Sequence, residues 1–242
     1  MNVLVIIPAA GLGTRMASAG ARGAAVKPAQ TSKQFAELAG VPILVHTLRK
    51  FAAAPRIKEI FLAMRTAEAE KFRPRLEQEK LGKPVHIVEG GEHRQESVGN
   101  ALAAVKAAAD DIVLVHDAVR PFVEQDCIEA VIDAAAKHGA AIAAVPAVDT
   151  IKQVERTAED AVVRATIPRE HIVLVQTPQG FRYRLLQESF AEAARDGFTG
   201  TDEASVVERA GHNVHVVMGS PRNIKITTPG DLELAEFYIR SS

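Results

Sequence analysis

The alternation of short β-branched runs with amphipathic stretches constrains the fold of this 242-residue chain more than any other sequence feature. Buried-strand patterns are repeatedly followed by stretches whose apolar residues recur at helical spacing. The predicted strands are Val3–Ile7, Ile57–Ala63, His86–Val88, Ile112–His116, Ala140–Val145 and Val214–Val217. This order predicts a Rossmann-like α/β fold, with a mostly parallel sheet covered by helices on both faces. Ligands of such sheets bind beyond the carboxyl ends of the strands.

Three predicted helices have clear sequence signals. One carries a single apolar face that follows the i, i+3, i+4, i+7 rule. Its members are Val98, Ala101, Leu102 and Val105. Another runs from Gln125 to His138 and ends at Gly139, a residue typical of helix ends. The last begins with Thr228 as N-cap and Pro229 at its first position.

Composition excludes several classes of function. The chain has 29 basic and 30 acidic residues, so it lacks the positive excess of a nucleic-acid-binding protein. Its one cysteine, Cys127, excludes an internal disulfide and is expected to be buried in a helix. The apolar run before Pro8 is too short for a signal peptide or a membrane span. We therefore expect a cytoplasmic protein with neither a nucleic-acid nor a membrane partner.

Two segments interrupt the alternation of strands and helices. Residues 11–33 follow the first strand without periodicity, and we expect an active-site loop there. Residues 147–172 alternate around a polar turn at 156–160, which indicates a β-hairpin arm leaving a single domain of residues 1–242. An isolated hairpin is barely stable in water. The arm is therefore predicted to pack against a second subunit of a homodimer.

The loop after the first strand has the composition of a phosphate-binding turn. Gly11 and Gly13 allow backbone N–H groups to approach a polyphosphate, and Arg15 adds a forked cation. The alternative interpretation is that this loop is only a tight turn between a strand and a helix and binds no ligand. No Gly-Lys-Ser/Thr follows, and the third glycine of the dinucleotide fingerprint is missing. These absences argue against a P-loop ATPase and against a dehydrogenase.

A set of motifs carries a resemblance to a known family. The segments AAGLGTRM (9–16), SKQF (32–35) and GVPIL (40–44) resemble the opening of nucleotidyltransferases that activate sugar phosphates. Further along come HDAVRP (116–121), DTIK (149–152), QTPQ (176–179), TDEAS (201–205) and NIKIT (223–227). In this order, the whole set is similar to the 2-C-methyl-D-erythritol 4-phosphate cytidylyltransferase family of the non-mevalonate isoprenoid pathway. The resemblance covers nearly the whole chain.

The resemblance implies a reaction and catalytic residues. CMP would pass from CTP to 2-C-methyl-D-erythritol 4-phosphate, with Mg²⁺ or another divalent cation as cofactor. Arg15 and Lys33 would stabilise the α-phosphate and the departing pyrophosphate. Arg169 and Lys225 would align the acceptor phosphate, with Arg169 reaching the partner's active site.

The resemblance also implies two sets of binding residues. CTP would contact Ala9, Ala10, Gly11, Gly13, Gly91, Glu92, Ser97, Asp117 and Ala118. The acceptor would contact Arg120, Thr150, Thr177 and Thr201. Asp117 would in addition be a ligand of the metal.

Each of these residues also has an interpretation without a ligand. Asp117 could cap the segment that follows it, and Arg120 could be a solvated surface residue. Ser97 could be a helix N-cap, and Thr201 with Asp202 could form another. We expect Lys225 in a short alternating strand, where an inward lysine would need an anion.

The chain also departs from the family pattern in two places. The first loop is longer than the resemblance implies and contains a second candidate lysine, Lys27. Ser220-Pro221-Arg222 stands where many relatives carry an acid, so the sequence leaves open whether a second metal carboxylate exists. Two rival functions stay open: a cytidylyltransferase for ribitol phosphate or another sugar acceptor, and a non-catalytic nucleotide-binding regulator.

Overall fold

The computed structural model describes residues 1–11, 32–157 and 160–241. In these ranges the strands are β1 (Val3–Pro8), β2 (Glu37–Leu38), β3 (Val41–Pro42), β4 (Ile57–Met64), β5 (Val85–Glu89), β6 (Ile112–Val115), β7 (Ala140–Pro146), β8 (Ile151–Arg156), β9 (Ala161–Ile167), β10 (Val173–Arg182) and β11 (His215–Met218). The α-helices are α1 (Ile43–Ala53), α2 (Thr66–Gln78), α3 (Arg94–Ala104), α4 (Gln125–His138), α5 (Tyr183–Asp196), α6 (Glu203–Arg209) and α7 (Pro229–Arg240).

Seven strands form one mixed sheet in the order β11-β7-β10-β6-β1-β4-β5. β1 lies parallel to β4 and β6, and β11 lies parallel to β7. The predicted mostly parallel sheet is therefore confirmed. The sequence prediction missed β10, which runs antiparallel between β6 and β7. Its middle carries the buried polar residues Gln176, Thr177 and Gln179. These residues interrupt the run of apolar residues by which a central strand is recognised in a sequence.

Both faces of the sheet bury apolar side chains. Val3, Val5 and Ile7 of β1 belong to a core that includes buried residues of α1, α2 and α4. Leu4 and Ile6, which alternate with them, belong to a core that includes buried residues of α3, α5 and α6. Because successive strand residues point to opposite faces, one strand serves both layers. The predicted helices on both faces are confirmed.

The helix signals in the sequence are confirmed. α4 ends at Gly139, whose φ of 94° lies in the region that favours glycine. α7 begins with a capping box between Thr228 and Asp231. The predicted apolar face of α3 and Cys127 of α4 are buried. Among the described helices, none has the length and hydropathy that crossing a bilayer requires.

The predicted strand around Lys225 is wrong. Residues 223–227 have no strand pairing, and the segment is held by separate bonds to neighbouring loops. The Ile226 amide donates to the Val119 carbonyl at 2.9 Å, and Arg120 Nη1 donates to the Asn223 carbonyl at 2.6 Å. The alternation of polar and apolar residues in NIKIT (223–227) therefore belongs to a loop, of which some side chains face inward, and not to a strand.

The predicted arm is present as a separate two-stranded antiparallel sheet. β8 and β9 pair from Ile151 opposite Ile167 to Arg156 opposite Ala161. Large apolar side chains on and beside the arm are exposed: Val148, Val154, Val162, Val163, Leu174 and Val175. Exposed apolar surface of this extent on a hairpin is typical of a surface that meets another protein.

Candidate active site

A first cavity of about 210 Å³ lies beyond the carboxyl ends of β1 and β6. Its walls come from the loop after β1, the residues after β6, and the loop that leads into α3. The lining residues are Pro8, Ala9, Ala10, Gly11, Lys33, Gln34, Gly91, Glu92, His93, Arg94, Ser97, Asp117, Ala118, Val119 and Lys225. The cavity therefore occupies the edge of the sheet where α/β proteins bind ligands.

A second cavity of about 200 Å³ adjoins the first. The two share Arg94, Asp117 and Lys225. The remaining residues of the second cavity are Arg120, Val175, Gln176, Thr177, Gln179, Thr201 and Asp202. Two compartments that meet at charged side chains can hold two polar ligands side by side.

Most of the residues predicted for the site line these cavities. Ala9, Ala10, Gly11, Lys33, Gly91, Glu92, Ser97 and Ala118 line the first cavity. Arg120, Thr177 and Thr201 line the second, and Asp117 and Lys225 line both. The two predicted sets of binding residues thus separate into two neighbouring compartments.

Four predicted residues do not reach the cavities or cannot be placed. Gly13 and Arg15 lie outside the described residues, as does the alternative lysine Lys27. Thr150 and Arg169, both described, line neither cavity. Arg169 Nη1 instead donates to the Val148 carbonyl at 2.6 Å at the base of the arm. Within one chain, the structure does not bring Thr150 and Arg169 to the site.

Asp117 is the centre of an ionic cluster formed with Arg94, Arg120 and Lys225. Its Oδ1 accepts from Arg94 Nε at 3.1 Å. Its Oδ2 lies 2.8 Å from Lys225 Nζ and 3.3 Å from Arg120 Nε. Burial by itself would raise the pKa of Asp117, but Arg94 and Lys225 hold it well below its usual range. Asp117 is therefore a carboxylate at neutral pH, and both of its oxygens face cationic side chains.

The sequence analysis missed Arg94 and Glu203. Both oxygens of Glu203, at 2.7 and 2.9 Å, accept from Arg94 Nη1. Burial alone would lower the pKa of Arg94, but Glu203 and Asp117 raise it above its usual range. Burial raises the pKa of Glu203, and the Arg94 charge opposes that rise. Glu203 lies within the TDEAS motif, which was the available signal for it.

His116 is held in one protonation state behind the cluster. The Asp117 amide donates to Thr177 Oγ1 at 3.0 Å. The Thr177 hydroxyl donates to His116 Nδ1, also at 3.0 Å, because the proton of the neutral ring lies on Nε2, which faces a carbonyl. His116 Nε2 then donates to the Arg120 carbonyl at 3.0 Å. Burial lowers the pKa of His116 to about 4, which keeps the ring neutral at pH 7. This chain of bonds fixes the backbone that carries Asp117 and Arg120.

Lys33 is placed at the first cavity by its neighbour Gln34. Lys33–Phe35 forms a 3-10 turn, and the buried Gln34 Nε2 donates to the Ala9 carbonyl at 2.6 Å. This bond ties the turn to the loop after β1. The backbone at Lys33 is therefore fixed beside the predicted phosphate-binding residues.

The loop before α3 is closed by hydrogen bonds to side chains. The Gly91 amide donates to Ser97 Oγ at 3.1 Å, and the Glu92 amide donates to Glu96 Oε2 at 2.8 Å. The N-cap of α3 is His93, so the interpretation of Ser97 as an N-cap is wrong. A Cβ at Gly90 would lie 2.4 Å from the Cβ of Ala10, so only glycine allows the two loops to approach. Asp202, in contrast, is the N-cap of α6, as one sequence interpretation predicted.

The protein ligands available for a metal ion are few. Among the residues that the structure describes, no group of three or more histidine, cysteine or carboxylate side chains could hold one. Mg²⁺, however, commonly takes one or two carboxylates and completes its shell with water and substrate phosphates. Asp117 between the two cavities fits that use, provided that a cation of the cluster releases one of its oxygens.

Comparison with known proteins shows a family. The model of the family IspD: 2-C-methyl-D-erythritol 4-phosphate cytidylyltransferase matches residues 3–241. The enzyme of that name from Acidobacterium capsulatum is 59% identical over 99% of this chain and 98% of its own. The one from Solibacter usitatus is 54% identical over 99% of this chain and 96% of its own.

Solved structures show the same likeness. The crystal structure of 2-C-methyl-D-erythritol 4-phosphate cytidylyltransferase from Thermus thermophilus has a TM-score of 0.77 and 36% identity, covering 99% of this chain and 100% of its own. The Francisella tularensis structure of the same name has a TM-score of 0.80 and 36% identity, covering 98% of this chain and 99% of its own.

Proposed function

The chain belongs to the 2-C-methyl-D-erythritol 4-phosphate cytidylyltransferase family and transfers CMP from CTP to 2-C-methyl-D-erythritol 4-phosphate; we propose that the acceptor phosphate attacks the α-phosphate of CTP in line. The products are 4-diphosphocytidyl-2-C-methyl-D-erythritol and pyrophosphate. The observation that supports this mechanism best is the pair of cavities joined at the ionic cluster. One compartment suits CTP, and the other suits the acceptor.

The nucleophile of this reaction needs no general base. The second pKa of a phosphate monoester is about 6, so the acceptor is mostly a dianion near pH 7. The difficulty is the approach of two anions, together with the charge that gathers on the α-phosphate. Catalysis then consists of positioning and of stabilisation by fixed cations.

We assign the cations according to the compartments. Arg15 and Lys33 stabilise the α-phosphate and the departing pyrophosphate on the CTP side. Lys225, which lines both cavities, is well situated to align the acceptor phosphate. Arg120, Thr177 and Thr201 bind the acceptor, and Thr150 and Arg169 join them from the arm of another subunit. The nucleotide contacts are Ala9, Ala10, Gly11, Gly13, Gly91, Glu92, Ser97, Asp117 and Ala118.

We propose that Asp117 also supplies the protein ligand for Mg²⁺. When bound, the ion neutralises charge on the triphosphate and favours the departure of pyrophosphate. Arg94, Arg120 and Lys225 already neutralise the Asp117 carboxylate, so one of these cations would have to release a carboxylate oxygen for the ion to be held. Lys225, if released from Asp117, would be available to the acceptor phosphate.

Replacing Asp117 by asparagine is expected to weaken metal binding by at least about tenfold, because a charged ligand becomes a neutral one. Electron paramagnetic resonance of Mn²⁺, titrated into enzyme saturated with CTP, measures this without turnover. Asp111→Asn is the control, since Asp111 is a buried carboxylate that lines neither cavity, and its replacement is expected to leave the Mn²⁺ affinity unchanged. Equal Mn²⁺ affinities for Asp117→Asn and the unaltered enzyme would contradict the metal assignment.

We further propose a homodimer in which each arm reaches the other subunit's site, and a single cytoplasmic domain in each subunit. The arm exposes Val154, Val162 and Val163, and Arg169 donates to the Val148 carbonyl at the arm's base within one chain. A closed two-fold dimer buries both arms with one kind of interface. It also brings the predicted acceptor residues of the arm to a complete site.

CTP is expected to be used about 10–100-fold faster than UTP, because one mismatched buried polar group costs about 1–3 kcal/mol. Gly91, Glu92 and Ser97 line the first cavity, and we assign the base to carbonyl and hydroxyl oxygens of this loop. The 4-amino group of cytosine donates to such oxygens, whereas the 4-oxygen of uracil repels them. Pyrophosphate release measures both rates.

The same assay compares acceptors. Release with 2-C-methyl-D-erythritol 4-phosphate and not with ribitol 5-phosphate is the expected result. Equal rates with CTP and UTP would contradict the assignment of the loop at residues 90–97. Binding of CTP without pyrophosphate release with any acceptor would favour a nucleotide-binding regulator.

A further inference from the structure

Glu203 is a fully buried carboxyl group that the proposed chemistry does not use, and both of its oxygens accept from the Arg94 guanidinium. Its side chain is 1% exposed and lies at the first position of α6, next to the acceptor-binding Thr201. Its partner Arg94 begins α3, directly after the nucleotide-binding loop. The bonds of 2.7 and 2.9 Å between them therefore connect the walls of the two cavities.

A buried ion pair of this kind contributes little net stability. The cost of removing both charges from water often equals or exceeds their attraction, and apolar replacements can be as stable. In some proteins such a pair serves to fix one conformation. In this fold the geometry in question is the separation of the two substrate compartments.

Neutral hydrogen bonds reinforce the same connection. Gln95 Oε1 accepts from the Gly200 amide at 2.7 Å, and Gln95 Nε2 donates to the Phe198 carbonyl at 3.0 Å. Two consecutive residues of α3 thus hold the segment at residues 198–203. Gln179 of β10 supports it from below, since its Oε1 accepts from the Ala204 amide at 3.0 Å.

Arg94 links this connection to the reaction centre. Its Nε donates to Asp117 Oδ1 at 3.1 Å while its Nη1 is held by Glu203. Glu203 accepts from a different nitrogen of Arg94 than Asp117 does, so the guanidinium has an anchor that does not depend on Asp117.

We propose that Glu203 is a positioning residue for cytidylyl transfer: through Arg94 it holds the acceptor-binding segment at residues 198–203 in register with the nucleotide-binding loop at residues 90–97. The inference rests on the proposed assignment of the two cavities. It concerns the chemical step more than the binding of either substrate alone. Small errors in register are costly, since a displacement of about 1 Å can cost about 100-fold in rate.

Glu203→Gln, which keeps the shape and removes the charge, is expected to lower kcat by about 10–100-fold. The KM for CTP should change less than about threefold, because the loop itself is closed by Ser97 and Glu96. Glu203→Asp keeps the charge on a shorter side chain and is expected to restore part of kcat. If Glu203→Gln fails to fold, two milder variants, Glu203→Asp and Gln95→Ala, are each compared with the unaltered enzyme for kcat and for the KM of CTP.

A double-mutant cycle tests whether Glu203 acts through Arg94. In an Arg94→Gln background, Glu203→Gln is expected to lower kcat by less than about twofold more, because the interaction is already lost. Losses that multiply in the double variant would overturn the proposal. So would a Glu203→Gln enzyme with a lower Tm and an unchanged kcat.

Asp111→Asn is the matched control for burial. Asp111 is 5% exposed and accepts hydrogen bonds from the amides of Asn2 and Ala108, away from both cavities. Its replacement is expected to lower Tm and leave kcat unchanged. The unaltered enzyme is assayed first: absence of pyrophosphate release there would refute the proposed function, whereas normal release with an unaffected Glu203→Gln would refute this inference alone.

Discussion

Lys33→Ala is expected to lower kcat by about 10²–10³-fold, the usual loss when a preorganised stabilising group is removed. Lys33 lines the first cavity, and its neighbour Gln34 donates to the Ala9 carbonyl at 2.6 Å. An ammonium held there opposes the charge that gathers on the α-phosphate during attack. Steady-state pyrophosphate release measures the loss, and circular dichroism checks that the fold is retained.

Lys27→Ala is the control for the choice of lysine. Lys27 is the other candidate in the first loop, and it lies outside the residues that the structure describes. Its replacement is expected to change kcat by less than about threefold, because the family motif places Gln34 and Phe35 directly after Lys33. A greater loss in Lys27→Ala than in Lys33→Ala would show that the motif was aligned wrongly.

Mixing inactive Arg169→Ala and inactive Lys33→Ala chains is expected to restore activity, up to half that of the unaltered dimer per heterodimer. In a two-fold dimer with shared sites, one site of the heterodimer carries both lesions and the other carries neither. Each parent is expected to lose about 10²–10³-fold in kcat, so the recovery is measured against almost no background.

The exchange of subunits needs its own measurement. Analytical ultracentrifugation and a tagged chain show whether heterodimers form. If they form and no activity returns, Arg169 does not act across the interface.

Lys33→Ala mixed with Lys225→Ala is the matched control, because both residues line one cavity of the same chain. That mixture leaves one lesion in each site and is expected to stay inactive. A fully active monomer would refute the arm's role.

The elements that the sequence predicted best depend on neighbours in the chain. The apolar face of α3, the end of α4 at Gly139 and the cap of α7 at Thr228 arise from residues within a few positions of one another. Helical periodicity and capping are local, so they can be recognised without the fold. The location of the site followed as well, because parallel strands bring their carboxyl ends to one edge.

The elements that were missed depend on distant partners. β10 enters the sheet between β6 and β7 with buried polar residues, and these are tolerated because the loops around it supply their bonds. Gln176 Nε2 donates to the Ser220 carbonyl at 2.9 Å, and Gln179 Nε2 donates to Asp202 at 2.8 Å. The segment around Lys225 alternates like a strand, but its bonds go to separate loops and not to a neighbouring strand, as that of the Ile226 amide to the Val119 carbonyl.

The sequence by itself determined the fold class, the edge of the sheet that carries the site, and the family, because these follow from periodicity and from motifs of adjacent residues. Only the tertiary structure decided how the charges are paired. Arg94 and Glu203 are 109 positions apart, and Arg120 and the Asn223 carbonyl are 103 apart. The net effect of an ionic interaction depends on distance and burial, which the chain acquires only when its strands and loops have come together.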